Sequence, residues 1–152
     1  MRGYFGIGVW HPKHGVNIGT LFRSATIFGA AFVFTVGRRY QRQASDTPKA
    51  WRHVPLWHFE TVDELVRVSP YSAPIVGVEL TDTAHRIETF CHPPRAVYLL
   101  GAEDHGLPPS MLARCHAVVR LPGEFSMNVS SAGTVVMYDR ATKLGSANVR
   151  AE

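Results

Sequence analysis

The sequence predicts an α/β domain built on a mostly parallel sheet with helices packed against it. Two observations carry that reading. Five short runs, at 5–10, 31–36, 74–80, 95–100 and 117–121, are almost continuously apolar and rich in β-branched and aromatic residues. A strand covered on one face alternates apolar with polar residues, whereas a near-continuous run marks a strand covered on both. Helix-like segments at 18–28, 62–68, 108–114 and 131–144 fall between those runs, and strands alternating with helices favour parallel pairing. The chain has 152 residues, about one average domain. We therefore expect a single domain over 1–145 and a frayed tail over 146–152.

Taken in order, the first strand is Phe5-Gly-Ile-Gly-Val-Trp10. The residues before it contain only Arg2 as a charge and lack the layout of a signal peptide. The segment His14-Gly-Val-Asn17-Ile-Gly19-Thr-Leu-Phe-Arg23 then opens a helix. Asn17 is a candidate cap for it. Leu21, Ala25 and Phe28 share one face by i, i+4, i+7 spacing, which leaves Arg23 pointing away. An arginine in that position is ordinarily a solvated charge. After the strand at 31–36 comes the least regular stretch, 38–53, with Arg38, Arg39, Arg42, Lys49 and Arg52 against one acid, Asp46. Tyr40 and Trp51 are interleaved. The plain reading is a solvated loop. The functional one is a polynucleotide-binding loop, with cations for phosphates and aromatic rings for bases.

The strand at 95–100 runs into Gly101-Ala-Glu103-Asp-His-Gly106-Leu-Pro108. Ligands of parallel sheets sit beyond the carboxyl ends of strands, so this loop is well placed. Its two carboxylates would repel a phosphate and suit a cationic or hydroxyl-bearing ligand. A tight turn before a proline-started helix is the competing account. The strand at 117–121 runs into Leu121-Pro-Gly-Glu-Phe-Ser126-Met-Asn128-Val-Ser130-Ser131. Asn128, Ser130 and Ser131 offer capping oxygens to the last helix, but a cap alone leaves Ser126 unexplained. In that helix Ala132, Val135, Val136 and Met137 supply an apolar face. Arg140 and Lys143 suit the negative end of the helix dipole, and Gly145 is a natural stop.

Composition narrows the function classes. Apolar residues make up 45% of the chain, which excludes an extended disordered polymer. Charged residues are 18%, below the quarter or so of typical domains, which is compatible with a surface covered by a partner. The net charge of +4 suits a polyanion. No apolar run approaches a membrane span. Two cysteines, Cys91 and Cys115, build no disulfide framework, so the expected compartment is the cytoplasm. Metal is not expected, because Cys91–His92 and Cys115–His116 lack C-x-x-C spacing and the remaining histidines lack an H-E-x-x-H context. The phosphate loop G-x-x-x-x-G-K-[ST] is absent, and Gly3, Gly6 and Gly8 do not make G-x-G-x-x-G.

Each polar cluster is weak alone, but their order and spacing together resemble the SpoU-type RNA 2′-O-ribose methyltransferases of the SPOUT superfamily. That family's first motif, N-x-G-x-x-x-R, is matched by Asn17, Gly19 and Arg23. Its second, a strand ending in G-x-E-x-x-G, is matched by Gly101, Glu103 and Gly106. Its third, a strand, a proline and S-[LM]-N-[VL]-S, is matched by Leu121, Pro122, Ser126, Met127, Asn128, Val129 and Ser130. Gly77-Val-Glu-Leu-Thr81 resembles the strand before the second motif.

The resemblance implies a sheet whose C-terminal segment is threaded into a trefoil knot, a rare arrangement that periodicity cannot reveal. It implies S-adenosylmethionine as cofactor, held by Val78, Glu79, Gly101, Gly106, Leu121, Ser126 and Met127. It implies a catalytic set of Arg23, Asn17, Glu103, Ser126 and Asn128. The family proposal makes the arginine a general base. A guanidinium stays protonated, so clamping a phosphate and stabilising alkoxide charge is the better-defended role. A homodimer sharing sites across subunits is implied, with RNA as substrate and transfer RNA favoured, because no extra RNA-binding domain accompanies the catalytic one. Arg38, Arg39, Arg42 and Arg52 are the candidate RNA contacts. The alternatives are a ribosomal RNA methyltransferase, a non-catalytic RNA-binding protein of the same fold, and a flavodoxin-like nucleotide protein. The modified nucleotide is not readable from the sequence.

Overall fold

A computed structural model describes residues 3–40 and 53–145. Seven parallel strands form one sheet: β1 (Tyr4–Trp10), β2 (Phe32–Val36), β3 (Leu56–Phe59), β4 (Ile75–Val78), β5 (His85–Arg86), β6 (Arg95–Leu100) and β7 (Ala117–Arg120). Their spatial order is β3-β2-β1-β6-β4-β7-β5. The chain builds outward from β1 through β2 to β3, then crosses to the other side of β1. The reversal lies between β1 and β6, and such switch points leave a crevice beyond the strand ends.

The helices are α1 (Gly15–Phe28), α2 (Val62–Val68), α3 (Pro109–Leu112) and α4 (Val129–Leu144). Alternation along the strands sorts the core into two faces. Phe5, Ile7 and Val9 of β1 and Ala96, Tyr98 and Leu100 of β6 pack with α1 and α4. Val97 and Leu99 of β6 join Phe32, Phe34 and the α2 residues Val62 and Leu65. β1 is glycine at its second-face positions because rings of β2 lie across it. A Cβ on Gly6 would stand 2.3 Å from the Phe32 ring, and one on Gly8 would stand 2.3 Å from the Phe34 carbonyl oxygen.

Two strands depart from the apolar-run expectation. β3 is an edge strand with only Phe59 buried, so it carries no continuous apolar run. His58 turns inward to meet Thr35 Oγ1 at 2.8 Å. β5 is two exposed residues. Further corrections concern the helices. α1 begins at Gly15, with His14 as its N-cap and no side-chain cap bond; Asn17 is inside the first turn and does not cap it. Asn128 does cap α4, accepting from Ser130 N and Ser131 N. Val135 lies on the exposed side of α4.

Arg140 is buried, 4% exposed, and is not a solvated cation at a helix end. Its guanidinium donates to Pro93 O and Pro94 O, each at 2.7 Å, and to Tyr98 Oη at 3.3 Å. His92 bridges Tyr98 Oη and Asp139 Oδ2 at 2.7 and 2.8 Å. These bonds fasten the far half of α4 to the approach to β6. Arg140→Met removes the donors and strands two carbonyls, which should cost about 3 kcal/mol. Urea denaturation should show an earlier midpoint with an unchanged slope. A midpoint equal to wild type would show that the carbonyls find other donors.

Candidate functional site

A cavity of about 270 Å³ opens at the carboxyl ends of β4, β6 and β7. Three loops make it: 79–80 after β4, 101–106 after β6 and 121–127 after β7. All seven residues named as cofactor candidates line it: Val78, Glu79, Gly101, Gly106, Leu121, Ser126 and Met127. Apolar walls come from Leu80, Leu100, Phe125, Val129 and Ala132, and carboxylates from Glu79, Glu103 and Asp104. Phe125 is 86% exposed at the rim. Sequence reasoning passed over it, although an aromatic residue among polar loop residues was a readable signal.

The loop after β6 is folded tightly on itself. Gly106 N donates to Ala102 O at 2.9 Å. A Cβ on Gly101 would stand 2.3 Å from the Gly106 carbonyl carbon. The space beside Gly101 is thus filled by its own loop, not kept open for a ligand. Glu79 fixes the other side of the turn. Its Oε2 accepts from Leu107 N at 2.6 Å and its Oε1 from Leu80 N at 2.9 Å. Gly106, at φ +61°, leaves no room for a Cβ, which would fall 2.2 Å from Glu79 Oε2.

Asn17, Glu103 and Asn128 form one chain of hydrogen bonds. Asn17 Nδ2 donates to Glu103 Oε1 at 2.8 Å, and Asn128 Nδ2 donates to Asn17 Oδ1 at 3.0 Å. Asn128 Oδ1 accepts from Ser130 N at 3.0 Å and from Ser130 Oγ at 2.7 Å. Lys13 N donates to Glu103 Oε2 at 3.1 Å, and the Lys13 ammonium pairs with Asp104. Three segments distant in sequence are thereby locked around the cavity. Burial pushes the Glu103 carboxyl up. Hydrogen bonds from Asn17 and from the backbone amides of Glu103, Lys13 and His14 outweigh it and hold the group below its ordinary value.

That direction fixes a pH dependence. A depressed carboxylate stabilises the fold in full above its unfolded pKa, and the contribution fades as pH falls through the lower folded value. Glu103→Gln places an NH₂ among donors, so one partner loses its acceptor. We expect about 1 kcal/mol lost at neutral pH and a flatter stability profile below about pH 4.5. Denaturation at pH 7 and pH 4 measures both. An equal loss at the two values would remove Glu103 as the titrating anchor.

The remaining candidates lie apart. Arg23 is on the exposed side of α1 and is not among the cavity-lining residues. It stands on a stripe with Val16, Thr20 and Ile27, at i, i+4, i+7, i+11 spacing. Val16 and Ile27 are 61% and 68% exposed. Arg38 and Arg39 follow β2 at the same end of the sheet as the cavity and are exposed. Arg39 Nη2 lies 3.3 Å from Glu60 Oε1. Arg42 and Arg52 fall outside the described residues, as does the tail after Gly145. Among the described residues, no group of three His, Cys, Asp or Glu side chains could hold a metal ion.

The model of the SpoU rRNA Methylase family matches residues 5–138. The chain belongs to that family. The resemblance read from the three motifs is therefore borne out, and the family match spans all of them. Comparison with curated proteins gives no match. Among solved structures, an AdoMet-bound rRNA methyltransferase from Sinorhizobium meliloti aligns with TM-score 0.81 at 20% identity, over 95% of this chain and 58% of that one. A structure described as bearing on 2-OH methylation of C/U34 on tRNA aligns with TM-score 0.79 at 22% identity, over 95% and 98%. The A. aeolicus TrmH/SpoU tRNA modifying enzyme aligns with TM-score 0.82 at 16% identity, over 94% and 76%. The chain thus spans little more than half of the Sinorhizobium protein. At these identities the structures establish the fold, a parallel sheet flanked by helices as the sequence predicted.

Proposed function

We propose that this SpoU-family chain is an S-adenosylmethionine-dependent RNA 2′-O-ribose methyltransferase that acts on transfer RNA as a homodimer. The observation that carries the reading is that the loops of the second and third motifs line one cavity and the Glu103–Asn17–Asn128 chain ties the first motif to them. The cavity suits the cofactor chemically. Leu80, Leu100, Leu121 and Val129 offer apolar surface to a flat adenine, and the carboxylates favour a cationic sulfonium. S-adenosylmethionine supplies an electrophilic methyl carbon. Glu79 holds the Gly101–Leu107 turn in shape, and Asn17 and Asn128 hold Glu103 and the start of α4. Arg23 binds the RNA phosphate beside the target ribose and offsets negative charge developing on the 2′-oxygen.

The dimer reading rests on the outward faces of α1 and α4. Val16, Ile27 and Tyr138 are each more than 60% exposed there, and Arg23 lies among them. Covering this face with a second copy would bring Arg23 into the interface between subunits. The knot is part of the proposal. Arg140 and Lys143 bind carbonyls of Ile87, Phe90, Pro93 and Pro94, as a helix threaded past the β4–β6 connection would. Transfer RNA is favoured because the tRNA-associated structure matches this chain over nearly its whole length. Arg38, Arg39, Arg42 and Arg52 are proposed to hold that RNA, and the cytoplasm is the proposed compartment. No described helix is long and apolar enough to cross a membrane.

Mass mapping of ribose methylation in RNA from a strain lacking the gene tests the activity. Loss of one 2′-O-methyl group in a transfer RNA, restored by the gene, is expected. Loss from ribosomal RNA would move the substrate. An unchanged map, together with no S-adenosylmethionine binding, would favour a non-catalytic RNA binder.

A further inference from the structure

Beside the main cavity lies a second recess of about 200 Å³. Leu80, Leu121 and Pro122 are walls common to both. The outer recess is lined by Arg86, Glu88 and Arg120, none of which touches the main cavity or takes part in the three motifs. Arg86 of β5 and Arg120 of β7 are register partners in the parallel pair. Neighbouring strands are under 5 Å apart, roughly, and paired residues project from the same face. The two arginine side chains therefore leave neighbouring strands on one face and line one recess, an arrangement that costs stability when nothing negative lies between them.

One carboxylate answers both. Arg86 Nη2 reaches Glu88 Oε1 at 3.4 Å, a single long contact. The Glu88 carboxyl sits below its ordinary range, held there first by its own backbone amide and then by Arg86 and Arg120. The recess keeps one unbalanced positive charge. Charges on an edge strand commonly guard it against pairing with other chains. Arg86, on β5, fits that account. Arg120 does not: β7 is an interior strand between β4 and β5, and Arg120 is half-buried.

We propose that Arg86 and Arg120 form a phosphodiester clamp for the RNA substrate at the mouth of the cofactor cavity. The clamp rests on the reading of the chain as an RNA methyltransferase and adds to it a second anchoring point, on the opposite side of the sheet from Arg38 and Arg39. Two planar guanidinium forks match a phosphate's oxygens in a way that ammonium groups do not. The recess opens at the sheet edge, outside the Leu121–Pro122 wall. A polymer lying across the cavity mouth presents a backbone phosphate there, while the carboxylate of a cofactor seated inside would have to cross that wall.

The test uses Arg86→Ala, Arg120→Ala and Arg120→Lys in the full chain. Bulk transfer RNA from the deletion strain serves as the RNA probe, with S-adenosylmethionine binding followed by calorimetry. Each alanine variant should weaken RNA binding roughly tenfold and lower the slope of log affinity against log salt by about 0.7–0.9. Cofactor affinity should stay at the wild-type value. Arg120→Lys should keep the slope and lose affinity, and it also serves if Arg120→Ala does not fold. An unchanged slope in the alanine variants would show that neither arginine meets an RNA phosphate and overturn the clamp. Weakened cofactor binding with unchanged RNA binding would overturn it too, by assigning the recess to the cofactor's carboxylate. If the wild-type chain binds the RNA but transfers no methyl group, the proposed activity fails while the slopes still decide the clamp.

Discussion

Gly101→Val is expected to abolish S-adenosylmethionine binding, with at least a hundredfold loss of affinity, in a chain that stays folded. The reason is steric and local. A side chain at 101 begins 2.3–2.5 Å from Gly106 and Leu107 backbone atoms, which cannot swing aside as a flexible side chain can. The turn must open. When it does, Glu79 loses its bond to Leu107 N and Glu103 is drawn away from Asn17. Overpacking of this kind costs about 1–3 kcal/mol, a fall of roughly 2–12 °C in Tm for a domain of this length. The sheet beneath is untouched, since the core residues of β6 precede the turn. Gly106→Ala should act through the same unit from its other side, by striking Glu79. Calorimetric titration and a thermal melt of each variant separate site from fold. Unchanged cofactor affinity in Gly101→Val would take this turn out of the site.

What could be read in the sequence follows from what physical signal each element leaves there. β6 lies where its near-continuous apolar run placed it, at 95–100. α2 matches its expected bounds of 62–68, and the start has a local cause: Thr61 accepts from Glu64 N, and Glu64 reaches back to Glu60 N. β3 and β5 left no such signal, because edge strands need no continuous apolar run. The site splits in the same way. The loops at 101–106 and 121–127 were legible as polar clusters after strands, and both line one cavity, while the cluster that opens α1 joins them only through the hydrogen bonds of Asn17. Their wiring was not legible. Asn17 is 86 residues from Glu103 and 111 from Asn128, and a lone asparagine near a helix start reads as a cap. Arg140 misled for a related reason. Its place in the last turns fits a dipole partner, and only the fold brings Pro93 and Pro94 against it. Gly6 and Gly8, dismissed as a nucleotide motif, make room for Phe32 and Phe34.

Arg23→Ala is expected to keep S-adenosylmethionine affinity and lose turnover by about a thousandfold, the upper end of what removing one charge-stabilising donor costs. Affinity should hold because Arg23 is on the outer stripe of α1 and does not line the cavity. Turnover should fall because no other cation is proposed to meet the phosphate beside the target ribose. Arg23→Lys should not restore it, since an ammonium lacks the planar fork that grips two phosphate oxygens at once. The position of Arg23 among exposed Val16 and Ile27 adds a sharper expectation. If this face is covered by a second copy, each complete site takes its arginine from one subunit and its cavity from the other. Mixing Arg23→Ala subunits with Gly101→Val subunits should then recover activity from two inactive proteins. One of the two sites in each mixed dimer would pair an intact arginine with an intact cavity, giving up to half the wild-type activity per dimer. Methyl transfer assayed before and after subunit exchange, with exchange verified by mass-tagged chains, reads this directly. Mixed dimers without activity would place arginine and cavity in the same chain and refute the shared site.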